Sequence, residues 1–557
     1  MKPLRLGTRG SRLAVVQSEL VAKRLQEIGF SVELVTIVSD GDLRAPDTPI
    51  GEGIFVTALE RALVDGAIDL AVHSAKDLPL DENPELVIAA YPERADPRDA
   101  LVARNGASSI QDLAPHARVG TDSPRRAGFL RAIRADLEVI PLHGNVDTRL
   151  RRLESGEADA LVLAAAGLDR LGFGGRIAAR LDPESMPPAP GQGALAVQAR
   201  REDHAVLGVL KALDDAWVRM AVVAERAVLK AVGGGCQAPI GALATHDDDG
   251  LTLLVGAVTA DGKSRRVLRR ADVVERSLAP SACLAAEELH STVALTSRVV
   301  IDTSPDLDPL LSDSARRHGY RVVHAPTIAI EPADGDGGLE RARSRIAHYD
   351  WVVVTSRRGV QALFEGLPSA PPPTVRWAAV GPTTAKALRE RGMRVDCTPA
   401  AQNADAIPKA MAAHGPVKGA RVLLARADAA GRDLPEQLAL MGAEVDDVVA
   451  YRTVVAPKQS QRALVQALAD PDVDAIMFAS GSAVRGVVEL SGSDVIRARS
   501  LQVFTIGPKT SAVARGLGFK VTAEAAERDA AGLRAALTRG LEQEVERWVE
   551  SQLRPPA

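Results

Sequence analysis

The chain has 557 residues, enough for roughly three to five domains, and its 46% hydrophobic and 25% charged content is typical of a soluble globular protein. A formal charge of −4 and an aromatic content of 3% argue against a protein that binds nucleic acid or an anionic membrane. Three scattered cysteines are too few for a disulfide framework or a metal site. Without a signal-peptide core or an apolar run of about 18 residues, we expect a cytoplasmic protein.

The first 80 residues alternate predicted strands (4–8, 31–38 and 68–72) with predicted helices (10–29 and 53–65). His73, Ser74, Lys76 and Asp77 follow the third strand directly. Ligands of open α/β sheets bind beyond the carboxyl ends of strands, so this segment is a candidate site. The alternative is that Lys76 and Asp77 form a solvated loop pair.

Residues 119–126 predict a strand, a loop and the start of a helix. Ser123 suits the N-cap and Pro124 the first helical position. Arg125 and Arg126 then fall in the first turn, where positive charge opposes the helix dipole. This placement favours an anion that docks on the helix end and is held by both guanidiniums.

A second basic cluster spans residues 142–152, where Asp147 is predicted to cap a helix that carries arginines in its early turns. Arginine forks match carboxylates in a bidentate way. Together with Arg9, the two clusters predict a polycarboxylate ligand in a cleft between two α/β lobes. A solvated basic face is the alternative for each cluster taken singly.

Cys236 follows a predicted helix (217–232) and three glycines that end it. The C-terminal end of a helix disfavours a thiolate, and no histidine lies nearby in sequence to act as a base. The pattern argues against a turnover nucleophile and is compatible with a covalent anchor. The alternative is an inert buried thiol.

Seven short motifs occur in order along the first half. They are Gly7-Thr8-Arg9-Gly10-Ser11, His73-Ser74-Ala75-Lys76-Asp77-Leu78-Pro79, Asp96-Pro97-Arg98-Asp99-Ala100, Gly120 to Arg126, Gly144-Asn145-Val146-Asp147-Thr148-Arg149, Pro190-Gly191-Gln192-Gly193-Ala194 and Gly235-Cys236-Gln237-Ala238-Pro239-Ile240-Gly241. Together they resemble hydroxymethylbilane synthase (porphobilinogen deaminase) over about residues 1–292. The resemblance implies two lobes similar to periplasmic binding proteins, 1–96 with 192–214 and 97–191. A small α+β domain, 215–292, would carry the cysteine loop.

The same resemblance implies that Cys236 bears a dipyrromethane cofactor through a thioether, to which four porphobilinogen units add with loss of ammonia. Asp77 would be the catalytic carboxylate that contacts pyrrole nitrogens. The other implied cofactor-binding residues are Arg9, Ser11, Lys76, Thr121, Ser123, Arg125, Arg126, His143, Gly144 and Arg149. His143 stands where the family usually has arginine, and Glu52 and Thr57 stand where many relatives have lysines.

The second half repeats itself at a spacing of about 125 residues. Segments 298–326, 350–356 and 379–384 parallel 421–453, 474–480 and 505–510. Two similar α/β units are therefore predicted, each a parallel sheet with crossover helices. Hydroxyl side chains at strand ends and Gly-Pro-x-Thr segments before helices could bind carboxylates, or could simply cap helices.

The doubled unit, with Val354-Thr355-Ser356, Ala450-Tyr451-Arg452-Thr453, Ser480-Gly481-Ser482 and Gly507-Pro508-Lys509-Thr510, resembles uroporphyrinogen-III synthase over about residues 298–540. The resemblance implies one lobe of 298–330 with 457–540 and a second of 331–456, joined by strands near 327–331 and 451–456. Tyr451 would assist departure of a hydroxyl group or pack at the hinge. The residues expected to position substrate are Thr355, Ser356, Ser480 and Thr510.

The sequence thus predicts an α/β fold and a monomeric bifunctional enzyme that converts porphobilinogen to hydroxymethylbilane and then to uroporphyrinogen III. Two alternatives stay open. One is a synthase with a non-catalytic C-terminal module, and the other is a two-lobed solute-binding or sensing protein. Residues 541–557 form a predicted charged tail that we expect to be peripheral.

Overall fold

The computed structural model describes residues 2–37, 54–80, 83–235, 238–247, 250–293, 295, 298–306, 312, 315–316, 318–333, 337–367, 369–401, 404–527 and 529–554. Cys236 and Glu52 lie outside the described residues. The chain divides into two compact units. Unit 1 consists of Met1–Val299, Ser312–Arg321 and Leu537–Ala557, and unit 2 of Val300–Leu311 and Val322–Ala536.

Thirteen strands are described in the first 293 residues. They are β1 (Leu4–Arg9), β2 (Val32–Ile37), β3 (Leu70–Ser74), β4 (Leu86–Ala90), β5 (Asp99–Ala103), β6 (Arg118–Gly120), β7 (Glu138–Ile140), β8 (Ala160–Ala164), β9 (Ala179–Arg180), β10 (Leu195–Arg200), β11 (Ile240–Asp247), β12 (Gly250–Val258) and β13 (Arg265–Val273). The α-helices described there are α1 (Arg12–Glu27), α2 (Ile54–Val64), α3 (Pro124–Ile133), α4 (Val146–Glu154), α5 (Ala165–Arg170), α6 (His204–Leu210), α7 (Ala216–Val232) and α8 (Leu278–Thr292).

The strands of unit 1 build two five-stranded sheets with the same internal plan. The first has the order β2-β1-β3-β10-β4 and the second β7-β6-β8-β5-β9. In each, three strands are parallel and a fourth, β10 or β5, pairs antiparallel with the central one. The chain passes from the first sheet to the second between β4 and β5 and returns between β9 and β10.

A third layer of unit 1 is the antiparallel sheet β11-β12-β13, which packs against α7 and α8. Helix α7 has a buried apolar face and ends at Gly233, whose φ of 76° places it in the left-handed region that glycine favours. The predicted helix and its glycine cap are therefore confirmed. The segment after Gly235 leads through Cys236 to β11.

Beyond residue 297 the chain adds a second set of elements. The strands are β14 (Arg298–Asp302), β15 (Tyr320–His324), β16 (Ile328–Pro332), β17 (Trp351–Val354), β18 (Arg376–Ala379), β19 (Arg421–Ala427), β20 (Glu444–Val455), β21 (Val473–Phe478), β22 (Gln502–Thr505) and β23 (Val521–Glu524). The helices are α9 (Gly338–Ser344), α10 (Arg357–Phe364), α11 (Pro382–Glu390), α12 (Ile407–His414), α13 (Asp433–Leu440), α14 (Gln461–Ala469), α15 (Gly481–Ser491), α16 (Val495–Ser500), α17 (Pro508–Gly516) and α18 (Ala530–Leu553).

These strands form two sheets that share a four-strand order, β15-β14-β21-β22 in one and β20-β19-β17-β18 in the other, while the fifth strand, β23 or β16, lies at the opposite edge. One has the order β15-β14-β21-β22-β23 and the other β16-β20-β19-β17-β18. The parallel pair β21–β22 corresponds to the parallel pair β17–β18, so the repeat predicted from sequence is confirmed. Strands β16 and β20 pair antiparallel from Ile328↔Val455 to Pro332↔Tyr451, where the sequence placed the pair of connecting strands.

The end of the chain differs from its prediction. Leu541, Val545 and Val549 on α18 are at most 4% exposed and belong to the same hydrophobic core as α7, α8 and the sheet β11-β12-β13. The prediction of a peripheral tail is therefore wrong. The segment is rich in charged residues, but its apolar residues recur every four positions, which is the spacing of a helix face that packs against a core.

Candidate active sites

Lys76 and Asp77 lie in a single 3₁₀ turn, Ala75–Asp77, that follows β3 directly. Asp77 is exposed, whereas Lys76 is half-buried and donates from Nζ to Gln192 Oε1 at 3.3 Å. Removal of water from the Lys76 ammonium lowers its pKa to about 8, although Asp77 opposes the shift. The turn thus presents a free carboxylate next to an ammonium that titrates near neutral pH.

Arg226 of α7 holds this turn in place. Its Nη1 donates to the carbonyls of Ala75 and Leu78, both at 3.0 Å, and its Nη2 donates to Pro79 O at 2.8 Å. The side chain is almost completely buried. One guanidinium therefore fixes the backbone on both sides of Lys76 and Asp77. Sequence reasoning missed this residue, although an arginine within a strongly apolar helix was a signal for it.

Arg125 and Arg126 both face a carboxylate of the protein itself, Asp99 at the start of β5. Arg125 Nη1 donates to Asp99 Oδ2 at 2.7 Å and to Pro187 O at 2.7 Å. Arg126 Nε donates to Asp99 Oδ1 at 2.9 Å. Burial opposes ionisation of Asp99, but the two guanidiniums outweigh it and hold its pKa far below the usual range. The triad gives this part of the cleft a net positive charge.

Gln192 connects these groups to the two crossings between the sheets. Its Oε1 accepts from Lys76 Nζ and from Arg126 Nη2, at 3.3 and 3.2 Å. Its Nε2 donates to Asp99 Oδ1 at 3.0 Å and to Pro97 O at 2.8 Å. The neighbouring Gly193 has φ of 88°, and a Cβ there would lie 2.4 Å from a carbonyl of the other crossing. Gln192 belongs to one of the seven sequence motifs, but the sequence did not predict this role for it.

The second basic cluster is organised by Asp122. His143 Nδ1 lies 3.0 Å from Asp122 Oδ1, and Arg149 Nη2 donates to Asp122 Oδ2 at 2.8 Å. Burial lowers the pKa of Arg149. Gly144 has φ of 116° and lies against Thr148, so the turn before α4 has little room for a side chain.

Asp147 does not cap α4 as expected. The helix begins at Val146 with Asn145 at the N-cap. Asp147 lies in the first turn, where its Oδ1 accepts from Arg12 Nη1 at 2.9 Å. A carboxylate in the first turn still complements the helix dipole.

Of the remaining cofactor candidates, three hydroxyl groups have local hydrogen-bonding roles. Ser11 and Ser123 are the N-caps of α1 and α3 and accept from Ala14 N and Arg126 N at 3.3 and 3.4 Å. Thr121 is buried after β6, and its Oγ1 accepts from Ser123 N at 3.3 Å. These contacts fix the first turn of α3, which carries Arg125 and Arg126.

Arg9 is the last residue of β1, and its positive charge helps to lower the pKa of the buried His73. Burial is the main reason that the pKa of His73 falls to about 4, and its Nε2 lies 3.0 Å from Gln198 Oε1. A histidine with this pKa carries no proton to transfer near neutral pH.

Glu225 of α7 ties this helix to the same crossings. This fully buried carboxylate accepts from both terminal nitrogens of Arg94, at 2.6 and 2.9 Å, from Gly191 N at 2.6 Å and from Ala244 N at 2.8 Å. Four charge-assisted hydrogen bonds hold it. Gly235 and Ala238, on either side of the cysteine segment, are joined by an Ala238 N to Gly235 O hydrogen bond of 3.0 Å.

In unit 2, Tyr451 and Ser356 come together. The Tyr451 hydroxyl lies 3.1 Å from Ser356 Oγ, which also accepts from Gly359 N at 3.0 Å as the N-cap of α10. Tyr451 lines a cavity of about 550 Å³ together with Arg343 and Arg358. The cavity is large enough for part of a polycarboxylate ligand.

Of the residues predicted to act in this half, Tyr451 lines that cavity, and its lining does not include Thr355, Ser356, Ser480 or Thr510. Thr355 directly follows β17 and is half-buried. Ser480 is the N-cap of α15 and accepts from Ala483 N at 3.1 Å. Thr510 is buried in the first turn of α17. Ser480 therefore has the capping role that the sequence left open as its alternative.

Comparison with known proteins accounts for most of the chain. Residues 4–208 match the family model "Porphobilinogen deaminase, dipyromethane cofactor binding domain", residues 219–295 match "Porphobilinogen deaminase, C-terminal domain", and residues 310–535 match "Uroporphyrinogen-III synthase HemD". The porphobilinogen deaminase of Nocardia farcinica is 48% identical over 301 residues, which are 52% of this chain and 86% of that protein. That of a Roseiflexus species is 51% identical over 271 residues, 48% of this chain and 89% of its own.

Among solved structures, a mutant uroporphyrinogen III synthase of Thermus thermophilus is similar with 19% identity and a TM-score of 0.33, covering 44% of this chain and 99% of its own. The assignment of the second half rests on the family model rather than on this likeness. Among the described helices, none has the length and apolar character to span a bilayer.

The two α/β modules, each matched by an enzyme family model, make this chain an enzyme that acts on small-molecule substrates. The chain belongs to the porphobilinogen deaminase family and carries a uroporphyrinogen-III synthase domain after it. It is a bifunctional enzyme of tetrapyrrole biosynthesis, and its first module is the dipyrromethane-binding domain of the family.

Proposed function

We propose that Asp77 is the catalytic carboxylate of the deaminase half and that Lys76, Arg9, Arg125, Arg126 and Arg149 bind the carboxylates of the cofactor and the growing chain. One observation carries this proposal. Asp77 is an exposed carboxylate on a backbone turn fixed by Arg226, and it adjoins Lys76, whose ammonium shares the Gln192 side-chain oxygen with the buried Arg126. Such fixed charges stabilise a developing ion without reorganising.

The residues present fit a dipyrromethane with acidic side chains. The Nε atoms of Arg125 and Arg149 are buried and have no hydrogen-bond partner among the described residues. A buried donor without a hydrogen-bond partner costs free energy. A carboxylate of the ligand within hydrogen-bonding distance of these Nε atoms would remove that cost. Cys236 would hold the group through its sulfur, and when bound the dipyrromethane supplies the pyrrole carbon to which the first substrate adds.

The chain's own residues then act on the substrate. Loss of ammonia from porphobilinogen leaves a cationic azafulvene, which the Asp77 carboxylate stabilises by charge and hydrogen bonding. The same carboxylate can take the pyrrole proton released when the new carbon–carbon bond has formed. Lys76 and the arginines hold acetate and propionate groups so that the reacting carbon lies near Asp77.

For the synthase half we propose that Tyr451 assists departure of the hydroxyl group of hydroxymethylbilane. Ser356 lies within hydrogen-bonding distance and fixes the orientation of the Tyr451 hydroxyl. Thr355, Ser480 and Thr510 would contribute to positioning the substrate. A packing role for Tyr451 at the start of the β16–β20 pair is the alternative.

We also propose that the enzyme is a cytoplasmic monomer with the domain limits predicted above, except that residues 541–557 belong with the small domain rather than forming a peripheral tail. The near-neutral charge of the chain supports a freely dissolved enzyme. Size-exclusion chromatography with light scattering tests the monomer, whose expected mass is close to 58.6 kDa.

Two measurements test the first activity. Intact mass of the purified protein should exceed the mass of the polypeptide by that of a dipyrromethane, and the variant Asp77→Asn should keep this added mass while its tetrapyrrole formation falls by about 100-fold or more. A solute-binding protein would show neither the added mass nor turnover. Normal turnover by Asp77→Asn would remove Asp77 from the mechanism.

The product isomer tests the second activity. Incubation with porphobilinogen should give the type III uroporphyrinogen, because spontaneous closure of hydroxymethylbilane gives type I. Type I product alone would show that the second half is a non-catalytic module.

A further inference from the structure

The last helix of the chain supports the deaminase half, although it follows the synthase domain in sequence. Residues beyond 535 lie outside the three matched family models. Leu541, Val545 and Val549 nevertheless lie in the core formed by α7, α8 and the sheet β11-β12-β13. Burial of three branched side chains at a spacing of four residues anchors the helix along one face.

Ionic contacts fix the position of this helix along α7. Glu544 pairs with Lys230 and with Arg298, both at 2.9 Å. Burial opposes its ionisation, but Arg298 and Lys230 lower its pKa to about 2. Near the other end of the helix, Arg219 of α7 donates from Nη1 to Gln552 O at 2.9 Å.

Trp548 extends this contact to the segment that carries Asp77. Its Nε1 donates to Leu80 O at 3.2 Å. Its ring lies 5.9 Å from the guanidinium of Arg226, the residue that binds the carbonyls of Ala75, Leu78 and Pro79. The indole thus covers Arg226 and adds one further hydrogen bond to the backbone that follows Asp77.

We propose that Trp548 is a positioning residue for the deaminase reaction, which keeps the Asp77 turn in its reactive geometry through Arg226 and Leu80. This inference rests on the proposed catalytic role of Asp77. Without the indole, Arg226 loses its apolar cover and Leu80 O loses its donor, so the turn gains freedom to move. A small displacement of a reacting group lowers the rate of chemistry more than it lowers binding.

The test compares three full-length variants. Trp548→Ala removes ring and donor, Trp548→Phe keeps a ring over Arg226 and removes only the donor, and Leu541→Ala removes packing from the same helix away from the Asp77 turn. Rates of hydroxymethylbilane formation are measured well below each Tm, and the synthase half is assayed separately with hydroxymethylbilane.

We expect kcat for hydroxymethylbilane formation to fall about 10-fold in Trp548→Ala and about threefold in Trp548→Phe, with KM for porphobilinogen within about twofold. Leu541→Ala should lose a similar amount of Tm and keep kcat within about twofold. The cofactor mass and the synthase rate should be unchanged in all three. If Trp548→Ala is insoluble, Trp548→Phe decides the matter alone.

The inference is overturned if Trp548→Ala retains wild-type kcat, if Leu541→Ala lowers kcat as much, or if Trp548→Phe is the only soluble variant and is fully active. Asp77→Asn, run beside them, separates this result from a failure of the proposed function. An inactive Asp77→Asn with an active Trp548→Ala rejects only the role of Trp548, whereas an active Asp77→Asn rejects the role of Asp77.

Discussion

The two candidate sites of this chain differ in how their polar side chains are held. The cleft of unit 1 has ionised side chains held by other ionised side chains, as in the Asp99 triad and the Asp122 pair. In unit 2 the candidate catalytic pair consists of two hydroxyl groups, Tyr451 and the helix-capping Ser356, and Arg343 and Arg358 line the cavity that Tyr451 faces. Burial of an ionised side chain costs much free energy unless an opposite charge pairs with it. Burial of a hydroxyl group costs less, and the hydroxyl can either donate or accept a hydrogen bond.

This difference matches what each half has to do. The deaminase reaction forms a cation at one carbon four times while the acidic chain grows, so it needs a fixed carboxylate and fixed cations. The synthase closes a chain that is already made, and shape can supply much of that selection. Single substitutions should therefore be severe in unit 1 and mild in unit 2.

The largest expected effect is that of Asp99→Asn. It leaves Arg125 and Arg126 buried without a compensating charge, so we expect a loss of about 3 kcal/mol in the free energy of unfolding and a deaminase rate reduced by at least about 100-fold. Urea denaturation and a porphobilinogen assay measure these. Asp159→Asn is the control, because Asp159 also pairs with two arginines but is 24% exposed, and it should cost about 1 kcal/mol or less.

Arg149→Leu should come next. We propose that its half-buried guanidinium holds a ligand carboxylate, and we expect loss of such a charged hydrogen bond to raise KM for porphobilinogen by about 10- to 100-fold. Arg151→Leu, an exposed arginine of the same helix, should stay within about twofold. Equal effects of the two substitutions would show that the cluster acts only as a basic surface.

The pH dependence should sharpen the comparison further. Lys76 is charged below pH about 8 and neutral above it, so kcat/KM for porphobilinogen should fall as pH rises through 8. We expect a decrease of about 10-fold from the loss of one charged hydrogen bond. Lys76→Arg keeps its charge in this range and should remove the decrease. The synthase rate should not follow it, because Lys76 belongs to unit 1 and the candidate synthase residues to unit 2.

Tyr451→Phe should have the smallest effect. Loss of one hydrogen bond predicts a rate of type III uroporphyrinogen formation lower by about fivefold. Ser356→Ala should lower it similarly, and the double variant should add little, because both substitutions remove the same interaction. Tyr349→Phe serves as the control tyrosine. A loss of 1,000-fold in Tyr451→Phe would place an indispensable catalytic group in unit 2 as well.

Local features of the sequence predicted local structure well. Ser123 caps α3, and Gly233 ends α7, since both outcomes depend on a few neighbouring residues. The two similar units of the second half could be predicted because matching segments occur twice in the sequence at a constant spacing. By contrast, the partners of the predicted arginines lie far along the chain. Asp99 is 26 residues from Arg125, and Gln192 is 66 residues from Arg126.

The role of the terminal helix was missed for the same physical reason. Its apolar stripe was present in the sequence, but the surface that it covers is assembled from residues about 300 positions earlier. Side-chain pairing across such distances is set by the folded topology, which amphipathic spacing alone does not specify. His143, where the resemblance led us to expect arginine, lies within reach of Asp122 and thus has a place in the same cluster.

The burial of Leu541, Val545 and Val549 also sets the timing of folding during synthesis. A ribosome makes domains from the N-terminus onward, and most can fold as they emerge. The core that surrounds α7 has to wait, because its last side chains are translated only after the entire synthase domain. We therefore expect the nascent chain to carry an incomplete small domain until α18 has been translated, and we expect truncations within α18 to impair the deaminase half.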